Sequence, residues 1–401
     1  MGRESRGTGS THAADRGSKS WSRQGDGLSR PTMRIAVDAS SLLTRHPRGE
    51  GKSLLRLYEE IACIRPGWRF IFFGTRETDA STQAILDRIP RCEIRTFELP
   101  GFRWNLWENL GLPIAARLAG ADLLHCASSG APIWSPVPVV MTVHDVIPLI
   151  MGDGMDHKGI KRFRTRLSAG LRQSRSVIAV SEHTRLDLAR VMNADVDKVR
   201  VVHWGADSNQ APFADRPSTG TVLGLGGGGS VRKNTPALVR MFARVAAHDP
   251  AARLVILGVT DGAQRNQLQE LTSQLSLENR VSLMGYVSDE ELRKFYQEAT
   301  CLVYASLYEG FGLPPLEVMV HGMPVVASNR SSIPEVVGDA GILVDPEDID
   351  EMADAVLSLL HNQALYQKLS AKAWQRARQF NWRDTAEKTV SIFEASLKQQ
   401  P

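Results

Sequence analysis

The chain is 401 residues long, 42% hydrophobic and 23% charged, an ordinary globular composition with room for two domains and a core in each. Its net charge of +4 is mostly local: residues 1–32 hold six basic side chains against three acidic ones, so the rest is nearly neutral, which argues against a general nucleic-acid surface. Cys63, Cys92, Cys126 and Cys301 form no CxxC pair and read as core thiols of a reducing compartment; with no apolar run of membrane-spanning length and no signal-peptide core, the expected location is the cytoplasm.

Residues 1–32, rich in Gly, Ser, Arg and Thr, are expected to be a disordered tail. Strand 34–38 (RIAVD) then leads through the loop 44–51 (TRHPRGEG) into an amphipathic helix from Ser53, with Leu54, Leu55, Tyr58 and Ile61 on one side. Further strands are expected at 70–73, 93–97, 122–125, 139–144, 177–180 and 199–202, separated by helical stretches. That alternation means a mostly parallel sheet covered on both faces. After HWGAD (203–207) a run rich in Pro, Ser and Asp, 208–220, reads as a linker. The same grammar then restarts, with strands at 222–225, 254–257, 281–284 and 302–304 and a helix at 235–247. The chain closes on three helical segments, the last of them 382–397. Two doubly wound α/β domains in tandem are predicted.

The chemistry concentrates at strand ends. YASLYEGFGLPPLEVMVHGMPVV (304–326) runs from a strand through Glu309, Gly310, Phe311 and Gly312 into a helix that Pro314 and Pro315 open and Gly322 closes. A helix N-terminus suits a phosphate or carboxylate ligand. Glu317 sits among apolar helix residues and reads as a buried carboxylate, in need of sugar hydroxyls, an Arg or its own first-turn amides as donors. GGGGSVRKN (226–234) lies between strand and helix, where such sheets bind ligands, with Arg232 and Lys233 to meet an anion; it is neither a Walker loop nor GxGxxG. His144 and Asp145 end a strand on the ligand side, where they serve a ligand or simply a turn. Gly49 and Gly51 after the first strand leave the same two readings open. Lys158, Lys161, Arg162, Arg164, Arg166, Arg172 and Arg175 run without an acid between them beside Ile160, Phe163, Leu167 and Leu171, either a solvated surface helix or a dock for an anionic membrane. Trp104 and Trp107 are core, or a stacking platform for a sugar. The triplets Asp195-Val-Asp197 and Asp348-Ile-Asp350 read as turn and cap chemistry, so no metal site is expected.

On EGFGLPPLE, RKN, LMGYVSDEEL and SSIPEVVGDAGILVDPED, the chain resembles the family-4 retaining glycosyltransferases of the GT-B fold over nearly all of residues 33–398. TVHDVIPL is similar to the mannosyl- and rhamnosyltransferase subgroup of bacterial surface polysaccharide assembly. The resemblance implies an acceptor-side Rossmann-like domain at 33–207, a nucleotide-sugar domain at 208–381, and a final helix, 382–398, that crosses back to the first. It implies that Glu309 faces the donor sugar and that Glu317 holds the ribose. The amides of Phe311, Gly312 and Leu313 meet sugar and distal phosphate, Lys233 neutralises the leaving diphosphate, His144 contacts the transferred sugar or the acceptor, and the Gly49–Gly51 loop passes the diphosphate. Many members carry a diphosphate-binding Arg six positions before the Lys; here that place is Gly227, and Arg232 is the candidate to supply its charge. The implied donor is GDP-mannose, the acceptor a glycan or lipid-linked glycan at the inner membrane surface, with no metal or other cofactor. A metal-dependent Asp-x-Asp enzyme, a nucleotide-sugar epimerase of the same fold and a non-catalytic sugar-nucleotide-binding subunit are the alternatives.

Overall fold

A computed structural model describes residues 32–43, 49–74, 83–84, 86–97, 106–152, 154–207 and 220–398. The first sheet is built from β1 (Arg34–Asp38), β2 (Arg69–Gly74), β3 (Cys92–Thr96), β4 (Leu123–Cys126), β5 (Val139–Val143), β6 (Ser176–Ala179) and β7 (Val199–Val201). The second holds β8 (Thr221–Leu225), β9 (Arg253–Leu257), β10 (Val281–Leu283), β11 (Cys301–Tyr304), β12 (Val325–Ser328) and β13 (Ile342–Val344). Strand order is 3-2-1-4-5-6-7 in one and 10-9-8-11-12-13 in the other, and every pairing is parallel. Strands such as β5 and β12 are buried at every residue, as parallel strands covered on both faces must be.

Among the described residues the α-helices longer than a single turn are α1 (Gly49–Ile64), α2 (Leu112–Leu118, preceded by a π-helical turn at Trp107–Gly111), α3 (His157–Gln173), α4 (Glu182–Met192), α5 (Thr235–His248), α6 (Gly262–Gln274), α7 (Asp289–Glu298), α8 (Leu313–Met319), α9 (Ile333–Val337), α10 (Ile349–His361), α11 (Gln363–Ala377) and α12 (Trp382–Lys398). One face of the first sheet packs Trp107, Leu112 and Ala116 beside Leu167 of α3 and Leu188 of α4. The other face takes Leu54, Tyr58 and Ile61 of α1 with Ala386, Val390 and Phe393 of α12. Arg65 bonds Glu394 at 2.9 Å and Ser396 meets Ser176 at 2.9 Å, so the last helix is built onto the first lobe. The hydrophobic cluster runs on without a break through Trp204, Trp382, Phe380 and Phe311 into the second lobe.

Several expectations need correction. Helix α1 begins at Gly49, not Ser53, which places Gly49 and Gly51 in its first turn instead of in a loop. Cys126 and Cys301 are buried, whereas Cys63 is exposed and Cys92 half-buried; all four are free thiols. Strands β12 and β13 and the short α9 extend the second lobe beyond the last strand that the pattern gave. Helix α3 turns Phe163, Leu167 and Leu171 onto the sheet, so its apolar side is used up inside the protein. Trp107 is core, its ring 4.4 Å from Phe97. Trp104, most of the tail and the linker at 208–219 lie outside the described residues.

Candidate active site between the two sheets

In both sheets the strand order reverses beside the first strand, between β1 and β4 and between β8 and β11. Chains leaving the carboxyl ends of those strands diverge and open a crevice. The segments singled out by their chemistry after β1, β8 and β11 start there, and the one after β5 leaves the same carboxyl edge of the first sheet next to β4.

The second lobe's part is a tight ionic cluster. Val231–Lys233 form a 3-10 turn, and Asn234, left-handed at φ 50°, breaks that turn from α5 while its side-chain amide bonds the Pro346 carbonyl at 2.7 Å. Lys233 is thereby aimed at Glu309: its Nζ donates to Glu309 Oε1 at 2.6 Å and to the Tyr304 hydroxyl at 2.8 Å, over the Tyr304 ring. Tyr304 donates in turn to the same carboxylate at 2.7 Å, and Arg232 Nη1 lies 2.7 Å from Glu309 Oε2. Burial pushes the Glu309 carboxyl up, but Lys233 and Arg232 outweigh it and hold the group below its ordinary value. The second lobe's cluster therefore holds one ionised carboxylate against two cations, one positive charge in excess before Asp145 of the facing wall is counted. Gly227 explains the departure from the family pattern: a Cβ there would lie 2.3 Å from Lys233 Cγ, so the lysine stem occupies the space that any side chain at 227 would need.

The first lobe supplies the facing wall. His144 Nε2 donates to the Ala127 carbonyl at 2.7 Å and lies 3.3 Å from Glu50 Oε1, while its ring stacks on Trp204 at 5.7 Å; since a carbonyl can only accept, the proton is on Nε2. The walls touch at Gly310, where a Cβ would stand 2.0 Å from the His144 carbonyl oxygen. Ser181 Oγ, at the N-cap of α4, donates to the Gly310 carbonyl at 2.6 Å, and Thr184 Oγ1 does so at 3.2 Å. Glu335 of α9 closes the same contact by accepting the amides of Glu182 at 2.8 Å and His183 at 2.6 Å, the first turn of α4. Tyr308 adds a hydrogen bond to Asp187.

Burial raises the Glu335 and Asp187 carboxyls, but their hydrogen bonds, to His203 and the α4 amides and to His183 and Tyr308, leave both below the ordinary value. The unfolded chain then binds these protons more readily than the folded one. Their contribution is present above the ordinary carboxylate range and is lost as pH falls through that range and below it. The urea midpoint of the wild type is expected to drop more steeply with acid than that of Glu335→Gln, and parallel curves would show that the interlobe contact is not held by this charge.

Glu317 does not join the Lys233 cluster, and it is not buried: solvent reaches it, although protein crowds it on most sides. That crowding raises its pKa; Lys52 of α1 and the Tyr296 hydroxyl at 3.5 Å pull the other way without cancelling it. A Cβ at Gly49 would lie 3.7 Å from Leu313 Cδ1, so the first turns of α1 and α8 come close across the crevice, with Gly51 buried behind. Gly312, at φ 111°, is the N-cap of α8, and the Phe311 ring stacks on His203 as part of the core. Sequence reasoning missed Tyr304, Glu335 and Gly310 as site-builders. Asp145 also faces Arg232 and Glu309 across the crevice, its carboxyl raised by burial.

Residues 221–376 match the model of glycosyl transferases group 1, and residues 58–210 match that of glycosyltransferase family 4. O-antigen chain mannosyltransferase B of Escherichia coli is 28% identical over 265 residues, 63% of this chain and 69% of that protein. O-antigen chain mannosyltransferase RfbU of Salmonella typhimurium is 27% identical over 219 residues, 55% of this chain and 60% of that one. Among solved structures, Anabaena Alr3699/HepE in complex with UDP and glucose superposes with a TM-score of 0.72 at 18% identity, over 90% of this chain and all of that one. Sucrose-phosphate synthase from Thermosynechococcus elongatus gives 0.71 at 21% identity, over 90% and 98%. With both halves matched in chain order, two parallel sheets facing across one crevice and those structural neighbours, the chain belongs to the family-4 glycosyltransferases of the GT-B fold.

Proposed function

We propose that this protein is a retaining hexosyltransferase that moves mannose from a nucleotide diphosphate sugar, GDP-mannose, to a glycan or lipid-linked glycan acceptor in surface polysaccharide assembly. One observation carries the reading: Lys233 and Arg232 converge on Glu309 at the switch point of the second sheet, opposite His144 at the end of β5. The relatives' names support mannose and polysaccharide, and the UDP and glucose held by the Anabaena neighbour support a nucleotide-sugar donor.

Breaking the bond between anomeric carbon and diphosphate leaves negative charge on the departing oxygen. Lys233 and Arg232, fixed in a half-buried site, stabilise that charge with little reorganisation. Glu309, kept ionised between them, accepts hydrogen bonds from the sugar hydroxyls, and His144 orients the sugar or acceptor from the other wall. The acceptor attacks on the face from which the diphosphate leaves and passes its proton to a diphosphate oxygen, so configuration is retained without a protein base. Both Asp-x-Asp triplets act as caps: Asp195 accepts from Asp197 N at 3.0 Å and Asp348 from Glu351 N at 2.9 Å.

The reading is tested by thermal shift against a panel of nucleotide sugars, followed by transfer assays with and without a chelator. Stabilisation by GDP-mannose and transfer that survives the chelator are expected; isomerisation of donor alone would replace the proposal with an epimerase. Glu317, solvent-facing and underpaired, is assigned to the ribose hydroxyls. Glu317→Ala should weaken donor binding by about tenfold or more, the loss of hydrogen bonds to a charged acceptor, and an unchanged donor Kd would make Glu317 structural.

A further inference from the structure

We infer that the outer flank of the first lobe is a membrane-docking face, on which the π-helical turn and α2 lay an apolar line into an anionic bilayer while α3 meets its headgroups. The inference is independent of the transfer chemistry.

Leu106, Leu110, Ile114 and Leu118 are exposed by 59, 48, 45 and 82%. They recur every four residues. In an α-helix such steps overshoot a full turn by about 40°, whereas the looser π turn at Trp107–Gly111 makes them fall short. The two drifts oppose one another and keep the four side chains on one side, while Trp107, Leu112 and Ala116 fill the core behind. The line widens at Ile133, whose amide bonds Asn109 Oδ1 at 3.0 Å, and at Trp134; both are more than half exposed. Scattered exposed apolar side chains need no explanation, but a contiguous set edged by a tryptophan is the composition of a membrane-interface surface.

The charge around it selects the lipid. The only acid in 106–118, Glu108, is buried and tied to Arg166 of α3 at 2.8 Å, which fixes α3 alongside. Helix α3 contains no acid, its apolar side is on the sheet, and Lys158, Lys161 and Arg162 point to solvent, as does Arg117. An anionic bilayer satisfies both demands, with acyl-chain edges for the leucines and phosphates for the cations.

The full chain is tested by flotation with vesicles of phosphatidylcholine alone and of equimolar phosphatidylcholine and phosphatidylglycerol. Wild type should float with the anionic vesicles. Leu110→Glu with Ile114→Glu should bind them at least about tenfold less, because apolar burial and charge attraction are both lost. Lys161→Glu with Arg162→Glu should weaken binding to anionic vesicles specifically, and Leu275→Glu, on α6's C-terminal side in the other lobe, should bind as wild type. Melting temperature and the thermal shift with GDP-mannose should be unchanged in all, which separates this result from any failure of the donor assignment. Wild type left unbound, vesicle binding unaffected by the Leu110 and Ile114 changes, or self-association that those changes abolish in place of vesicle binding would overturn the proposal.

Discussion

Lys233→Ala is expected to lower turnover at least ~100-fold in a folded enzyme, since one donor aimed at developing negative charge typically contributes about 2.7–4 kcal/mol to the transition state. The geometry gives that loss a distinct signature. Arg232 still pairs with Glu309 after the change, so the carboxylate keeps a counter-ion and the fold should hold, but the excess positive charge disappears. Donor binding should therefore fall less than turnover. Lys233→Arg should restore little, because a planar guanidinium cannot put its charge where the compact ammonium meets both Glu309 Oε1 and the Tyr304 hydroxyl. A single-turnover rate near wild type would remove Lys233 from the chemistry.

Gly310→Ala should be comparably severe for a different reason. The added methyl would stand 2.0 Å from the His144 carbonyl oxygen and 2.9 Å from Asp145 Cβ, and the first of these is backbone that no rotamer change can move. The two walls must part by roughly an ångström, and misplacement on that scale costs on the order of 100-fold in rate. Ser181 and Thr184 would lose their grip on the Gly310 carbonyl at the same time. Turnover with soluble acceptor, read beside the melting temperature, checks this. If kcat and donor affinity both survive, the closed arrangement of the walls is not the one that reacts.

The parts of the fold legible in the sequence were those with strong grammar. Long amphipathic helices such as α1 and α12 and strands ended by Gly, Asp or Pro were placed within a few residues, because period and punctuation agree there. β12 and β13 were not: β12 is a short apolar run buried on both faces, which carries no alternation, and β13 is a half-buried edge strand of three apolar residues, too short to show a period. At the site, Lys233, Arg232 and Glu309 were legible as types at strand ends, and their convergence was implied by the family resemblance. Glu317 was misread as buried because its neighbours Leu316, Val318 and Met319 are; on a seven-residue helix one position can face outward while those beside it face in. Gly310 and Glu335 were illegible because their importance lies in what the opposite lobe brings against them, and nothing local encodes that.

The crossing of α12 onto α1 sets an order of events at the ribosome. Val390 and Phe393 complete an apolar face that Leu54, Tyr58 and Ile61 begin more than three hundred residues earlier. Until residues 382–398 have been synthesised, the nascent first lobe displays that face uncovered, and the second lobe, whose strands are all in place by residue 344, is ready to mature ahead of it. The first lobe is thus finished only after the second, and a stop codon ahead of residue 382 would injure a part of the protein made long before it.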